Sequence, residues 1–344
     1  MVLGGLFPDA TWVQLVLIVL STGLLWIGSG WLEEAAERLA AYYGLPAVVQ
    51  GSIIVAIGSS FPELVSVLVT AFSGVFGMGV GAIVGSAIFN ILVIPAVAGL
   101  ASQGTLDANR TIVYKEAQFY MLAVSGLVIT FALAVIYYPA PGGDLTGTVT
   151  RPLAAIPLLL YGLYLFIQWQ DVEDYEHTAV GTDIAVGREW GRLLAGLVVI
   201  ILAVEVLVGA VRTLNGTFGI PDFIAGVTII AAATSLPDTL VSVRAARRGA
   251  GETSLGNVFG SNTFDLLVAI PVGVLIAGSA PVSFTVAAPM MGVLTVATIL
   301  LFTLLRTDLI LTDLECYGLL SAYAVFVGWV IGETIGVVSL IQGI

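Results

Sequence analysis

The stretch Ser59-Ser60-Phe61-Pro62-Glu63 returns 175 residues later as Thr234-Ser235-Leu236-Pro237-Asp238, and the reading of the fold turns on that recurrence. The same offset carries Gly44-Leu45-Pro46 onto Gly219-Ile220-Pro221, and Gly51, Gly74 and Gly81 onto Gly226, Gly249 and Gly256. It also carries Gly85-Ser86-Ala87-Ile88-Phe89-Asn90-Ile91-Leu92-Val93 onto Gly260-Ser261-Asn262-Thr263-Phe264-Asp265-Leu266-Leu267-Val268. Agreement without gaps, through two apolar runs and the loop between them, marks a duplicated unit.

Around these motifs the chain is overwhelmingly apolar. Of 344 residues, 58% are hydrophobic and only 10% charged, with a mean hydropathy of +1.07; soluble domains are about a quarter charged. A soluble fold has no interior large enough to hide that surface. Forty glycines suit helices that approach closely in lipid. The single cysteine, Cys316, excludes an internal disulfide framework. A net charge of −12 argues against nucleic acid as a partner and leaves the lipid bilayer and inorganic cations. Much of that charge is expected in loops and helix ends, at Glu33, Glu34, Glu37, Asp308 and Asp313.

A spanning helix needs about 20 mostly apolar residues. Ten are predicted, near 11–37, 46–73, 79–101, 112–137, 152–170, 190–213, 221–247, 253–278, 282–305 and 314–341. The run beginning near Trp12 is long enough to span and follows no basic segment, so it reads as a first membrane helix and not as a cleaved signal. Trp12, Trp31, Trp169 and Trp190 fall near predicted ends, where indoles favour headgroups. With ten spans, Arg38, Arg110, Lys115, Arg188, Arg192, Arg244, Arg247, Arg248 and Arg306 share one side, against Arg151 and Arg212 on the other. The positive-inside rule makes the first side cytoplasmic, which places both termini outside a multi-pass protein of the cell membrane.

The repeat offset covers five spans, an odd number, so the second copy enters the membrane from the opposite side. The expectation is an all-α integral membrane protein: ten transmembrane helices as two inverted five-helix repeats, residues 1–170 and 190–344, with helices 2, 3, 7 and 8 broken. A monomer would suffice. The segment 171–189 reads as an acidic cytoplasmic linker (Asp171, Glu173, Asp174, Glu176, Asp183, Glu189). It lacks the Asp-x-Asp-x-Asp-Gly spacing of a Ca2+ loop, so a solvated connector with His177 exposed is the simpler reading.

Glu63 and Asp238 lie inside apolar runs, where an ionised carboxylate at mid-helix costs roughly 2.5–3.5 kcal/mol. Something must offset that. Each follows a proline, which cannot donate to the carbonyl four residues back, so Pro62 frees the oxygen of Gly58 and Pro237 that of Ala233. Those carbonyls adjoin the hydroxyls of Ser59, Ser60, Thr234 and Ser235. Carboxylate, carbonyl and hydroxyl together form a hard oxygen set suited to Ca2+ or Na+ and poor for softer metals. On the next helix of each repeat, Gly85-Ser86 and Gly260-Ser261 are expected to make a second break. One turn beyond each serine comes Asn90 or Asp265. For any one serine, threonine or glycine, ordinary helix packing is the commoner role; three acids placed by a repeat are harder to explain as packing. Glu205 has no acidic counterpart, since Gly30 lies 175 residues earlier, and it reads as a helix–helix hydrogen bond.

At these residues the sequence resembles the cation/Ca2+ antiporter superfamily, whose two repeats carry Gly-[Ser/Thr]-Ser-x-Pro-Glu followed by Gly-Ser-x-x-Phe-[Asn/Asp]. The resemblance covers the whole ten-helix plan. It implies exchange of Ca2+ for Na+, or for H+ in some branches, with Glu63 and Asp238 as central Ca2+ ligands. It further implies that Ser59, Ser60, Ser86, Asn90, Thr234, Ser235, Ser261 and Asp265 belong to the flanking Na+ and Ca2+ shells. Asp238 stands where many sodium/calcium exchangers have Glu, and the combined motifs look more like the potassium-dependent sodium/calcium exchangers. That brings K+ in as a further candidate ion and leaves the stoichiometry open.

A proton-coupled Ca2+ exchanger is the nearest rival, because carboxylates also bind protons; the paired hydroxyls favour Na+. An intramembrane aspartyl protease would also use two buried acids, but its second acid sits in Gly-x-Gly-Asp, which neither Asp238 nor Asp265 does. The expectation is therefore a transporter and not an enzyme. A passive channel fits poorly with broken helices in an inverted repeat, which favour occlusion.

Overall fold

The computed structural model describes residues 7–44, 56–102, 105–140, 145–172 and 184–338. In the first half the helices are α1 (Thr11–Tyr42), α2 (Ala56–Ser59), α3 (Phe61–Phe72), α4 (Phe76–Ala101), α5 (Ile112–Tyr137) and α6 (Arg151–Val172). The second half repeats the order with α7 (Val186–Phe218), α8 (Asp222–Thr234), α9 (Leu236–Arg247), α10 (Gly251–Ala277), α11 (Phe284–Arg306) and α12 (Asp313–Thr334). Among the described residues, eight helices are long and apolar enough to cross a membrane, or nine if α8 and α9 count as one span bent by 42°. Of the span expected over 46–73, α2 and α3 are the described part; residues 45–55 lie outside the described residues.

Proline explains the interruptions. α2 gives way to α3 at Ser60 and α8 to α9 at Ser235, each with proline in the first turn of the following helix. Its missing N–H is harmless there, whereas the carbonyl four residues back loses its donor. The expectation of breaks at Gly85-Ser86 and Gly260-Ser261 is corrected: the helix runs on through both pairs. α4 is interrupted at Val93, ahead of Pro95, and α10 loosens into a π turn over Asp265–Ala269, ahead of Pro271. Glycine weakens a helix, but only proline removes a donor.

Gly85 serves packing instead. A Cβ there would strike the backbone of Val227 on α8, one on Gly226 would strike Met78 on α4, and one on Gly81 would strike Phe223. α4 and α8 therefore cross backbone against backbone, the close approach that small residues permit in membranes. α1 and α7 cross the same way, with a Cβ on Gly196 falling 2.7 Å from the Gly28 carbonyl.

Short ladders, not foreseen in the sequence, tie the halves together. β1 (Leu106–Asp107) pairs antiparallel with β4 (Ile310–Leu311), and β2 (Thr146–Thr150) with β3 (Ser279–Ser283) in the register Thr148↔Pro281. β1 and β3 precede α5 and α11, while β2 and β4 precede α6 and α12. One pairing is thus made twice, each time between halves.

Two further boundaries differ from expectation. α12 ends at Thr334 and not near 341, with Gly336 at φ +73° just beyond it. α7 begins at Val186, so Glu189 is no part of a solvated linker: it is buried and pairs with Arg38 of α1 at 3.3 Å. His177 and the other acids of 173–183 lie outside the described residues.

Burial separates centre from rim. In α4 and α10, 89% and 78% of the membrane-length window is buried, against 28% in α1 and 22% in α12. α1 shows lipid an apolar face of Leu15, Val19, Leu20 and Leu24. The polar side chains of the two motifs sit at the centre.

Candidate cation site

Four elements bring the site together. The α2–α3 break supplies Ser59, Ser60 and Glu63; the α8–α9 break supplies Thr234, Ser235 and Asp238; α4 supplies Ser86 and Asn90; α10 supplies Ser261 and Asp265. All ten side chains expected from the sequence are fully buried. The carbonyls of Gly58 and Ala233 lie one residue before Ser59 and Thr234, each without the donor that proline removed.

The hydrogen bonds follow the repeat. Ser86 Oγ donates to Glu63 Oε1 at 3.3 Å, and its counterpart Ser261 Oγ donates to Asp238 Oδ1 at 3.1 Å. Thr234 faces Glu63, and its counterpart Ser59 faces Asp238. The halves are cross-linked through Ser86 and Ser235 at 2.7 Å, and through Ser59 and Ser261 at 3.1 Å. Asn90 Nδ2 donates to Asp238 Oδ2 and to Asn262 Oδ1, both at 3.0 Å. Glu63, Asp238 and Asp265 lie within electrostatic reach of one another.

Several oxygens are left over. Glu63 Oε2, Asn90 Oδ1, Ser60 Oγ and both carboxylate oxygens of Asp265 are buried with no hydrogen-bond partner. Buried polar atoms are almost always satisfied, so a cluster of orphaned acceptors beside three acids matches the donor set of a hard cation. Among the described residues no three Asp, Glu, His or Cys side chains form a metal site by themselves. A cation here must draw on hydroxyl, amide and carbonyl oxygens as well.

Sequence reasoning missed the asparagines. Asn262 Nδ2 donates to the carbonyl of Ala87, its own counterpart, at 3.3 Å and positions Asn90. Asn257 receives Ser59 Oγ at 3.3 Å and donates to Ser242 Oγ at 3.2 Å. Their repeat counterparts are Ala87 and Ala82, so comparison of the two copies gave them no weight; two amides within a membrane-length helix were the available signal. Glu33 was also misplaced: it is buried in α1 and packs on Gly58, with Cγ 3.5 Å from where a Cβ would stand. Glu205 is half-buried on α7 and not without a partner.

Comparison with known proteins gives the family and the fold. The family model described as sodium/calcium exchanger protein matches residues 13–170 and 189–332. The chain is 28% identical over 255 residues to the uncharacterized membrane protein MJ0091 of Methanocaldococcus jannaschii, covering 73% of this chain and 78% of that one. It is 25% identical to sodium/potassium/calcium exchanger 5 of Homo sapiens, covering 73% and 67%. Structures of the sodium-calcium exchanger NCX_Mj superpose with a TM-score of 0.64 at 22% identity, over 93% of this chain and 99% of that one. This chain belongs to the sodium/calcium exchanger family, and it is a membrane antiporter and not an enzyme.

Proposed function

We propose that this chain exchanges Ca2+ for Na+ across the cell membrane by alternating access to one site at the bilayer midplane. The observation that carries the proposal is the set of orphaned, fully buried oxygens of Ser60, Glu63, Asn90 and Asp265 between two proline-broken helices. Glu63 and Asp238 are the central Ca2+ ligands. Asp265, Asn90, Ser59, Ser60, Thr234, Ser235, Ser86 and Ser261, with the carbonyls of Gly58 and Ala233, provide the six to eight oxygens that Ca2+ takes and the flanking Na+ positions.

Electrostatic competition couples the fluxes. Three buried carboxylates are neutralised by one Ca2+ together with a proton, a K+ or another monovalent cation, or by several Na+. Bare acids resist the conformational exchange, because sealing them from water with no cation bound leaves unpaired buried charge, which costs several kcal/mol each. Ten spans in two inverted repeats, divided between α6 and α7 with both termini outside, would let either half open in turn. The doubled strand pairing and the repeat-related hydrogen bonds support that arrangement. α1 and α7, packed together through Gly28 and Gly196, would move against α3, α4, α9 and α10.

The test is tracer Ca2+ uptake into proteoliposomes with internal Na+, K+ and pH set independently. Uptake should require internal Na+ and should vanish in Asp238→Asn. Full activity in that variant, or uptake driven by a pH gradient with Na+ absent, would overturn the assignment of the site or of the counter-ion respectively.

A further inference from the structure

A polar stripe on α1 lies outside the central set. Ser29, Glu33 and Glu37 recur every four residues and so share one face of the helix. Burial grades along it: Ser29 is fully buried, Glu33 is 9% exposed and Glu37 is exposed. Two of its oxygens, Ser29 Oγ and Glu33 Oε1, are buried with no hydrogen-bond partner.

The position of Glu33 matters as much as its burial. It packs against Gly58, whose carbonyl adjoins the central site, and it is within electrostatic reach of Asp238, Glu37 and Arg244. Asp238 and Arg244 lie six residues apart on α9, about 9 Å at 1.5 Å per residue. The first is fully buried and the second exposed, so that stretch of α9 runs from the centre to the arginine-rich surface. Glu33 stands beside the same stretch. Among the described residues no cation forms an ion pair with it.

A buried carboxylate with a free oxygen, next to an unpartnered hydroxyl on the way to an acidic centre, is chemically a cation ligand. We propose that Glu33 and Ser29 form a second, outlying subsite for a hard cation, Na+ or Ca2+, on the arginine-rich side of the membrane. This subsite receives the ion between Glu37 at the surface and Asp238 at the centre. Because it is built on α1, it serves that side alone; the repeat supplies no acid at the equivalent position of α7, since the residue 175 positions after Glu33 is Val208. The inference rests on the exchange activity proposed above.

The experiment measures Ca2+ concentration dependence of exchange in right-side-out and inside-out membrane vesicles. Glu33→Gln is expected to raise the half-saturating Ca2+ about tenfold from the arginine-rich side only, as expected for loss of one partly buried charge several ångströms from the ion's path. Glu33→Asp should restore it, and Asp238→Asn should abolish exchange from both sides. Unchanged half-saturation in Glu33→Gln, or an equal change from both sides that Glu33→Asp does not rescue, overturns the subsite. If Glu33→Gln does not insert, Ser29→Ala decides: a one-sided shift of about threefold, the size of one lost hydroxyl contact, supports it and none overturns it. Should the wild type itself fail to exchange Ca2+ for Na+, the failure lies with the central site and not with Glu33.

Discussion

Asn262 illustrates how little of a membrane site is independent. It donates to the Ala87 carbonyl and accepts from Asn90, which in turn holds Asp238. Replacing it with alanine removes two buried hydrogen bonds, at about 0.5–1.5 kcal/mol apiece, although the Ala87 carbonyl keeps its helical donor and the Asn90 amide keeps Asp238. Asn262→Ala is therefore expected to lower the thermal midpoint of the purified protein. It should also weaken Ca2+ uptake, although Asn262 was not among the residues singled out by the repeat. Tracer flux and a thermal shift measured on one preparation check both. Glu63, Asp238 and Asp265 were legible from sequence because acids in apolar runs are costly and therefore conspicuous. An asparagine raises no such alarm, and a counterpart of alanine hides it further.

At the scale of the element, the proline breaks and the glycine crossings do different work. Pro237 bends α8 against α9 by 42° and leaves the Ala233 carbonyl without a donor. Pro237→Ala restores that donor, so the turn should close into continuous helix. The expected result is a well-folded protein with exchange largely lost, read by flux alongside unchanged far-UV circular dichroism. Gly85 has no room for a side chain where α8 crosses. Gly85→Val should force the pair apart at about 1–3 kcal/mol, the usual cost of overpacking, and appear as a lower melting temperature in detergent. The sequence located Gly85 but assigned it to a break. A helix interruption and a helix crossing both select small residues, and only the position of the neighbouring helix separates them.

At the scale of the molecule, the positive-inside rule makes a prediction of orientation. If the arginine-rich side is cytoplasmic, Arg248→Cys should react with an impermeant thiol reagent only in inside-out vesicles, and Phe218→Cys only in right-side-out ones. Both positions are exposed, and the native Cys316 is fully buried, so background labelling should be low. Labelling of both from one side would overturn the ten-span topology. The same arrangement accounts for α1 and α12 at the rim and α4 and α10 at the centre, since the polar motifs must be shielded from lipid by whole helices.

By itself the sequence determined that the chain spans a membrane, that it is duplicated, and which acids and hydroxyls stand on the broken turns. Those conclusions need only hydropathy, a constant offset and the covalent chemistry of proline. Tertiary structure alone decided which oxygens are left unpaired, that Asn257 and Asn262 join the network, and that the halves are stitched by paired strands. It also decided that Glu33, read as a solvated acid at a helix end, is buried beside the site. The physical reason is that hydrogen-bond satisfaction and burial belong to pairs of groups brought together across the fold, and one-dimensional pattern carries no record of the partner.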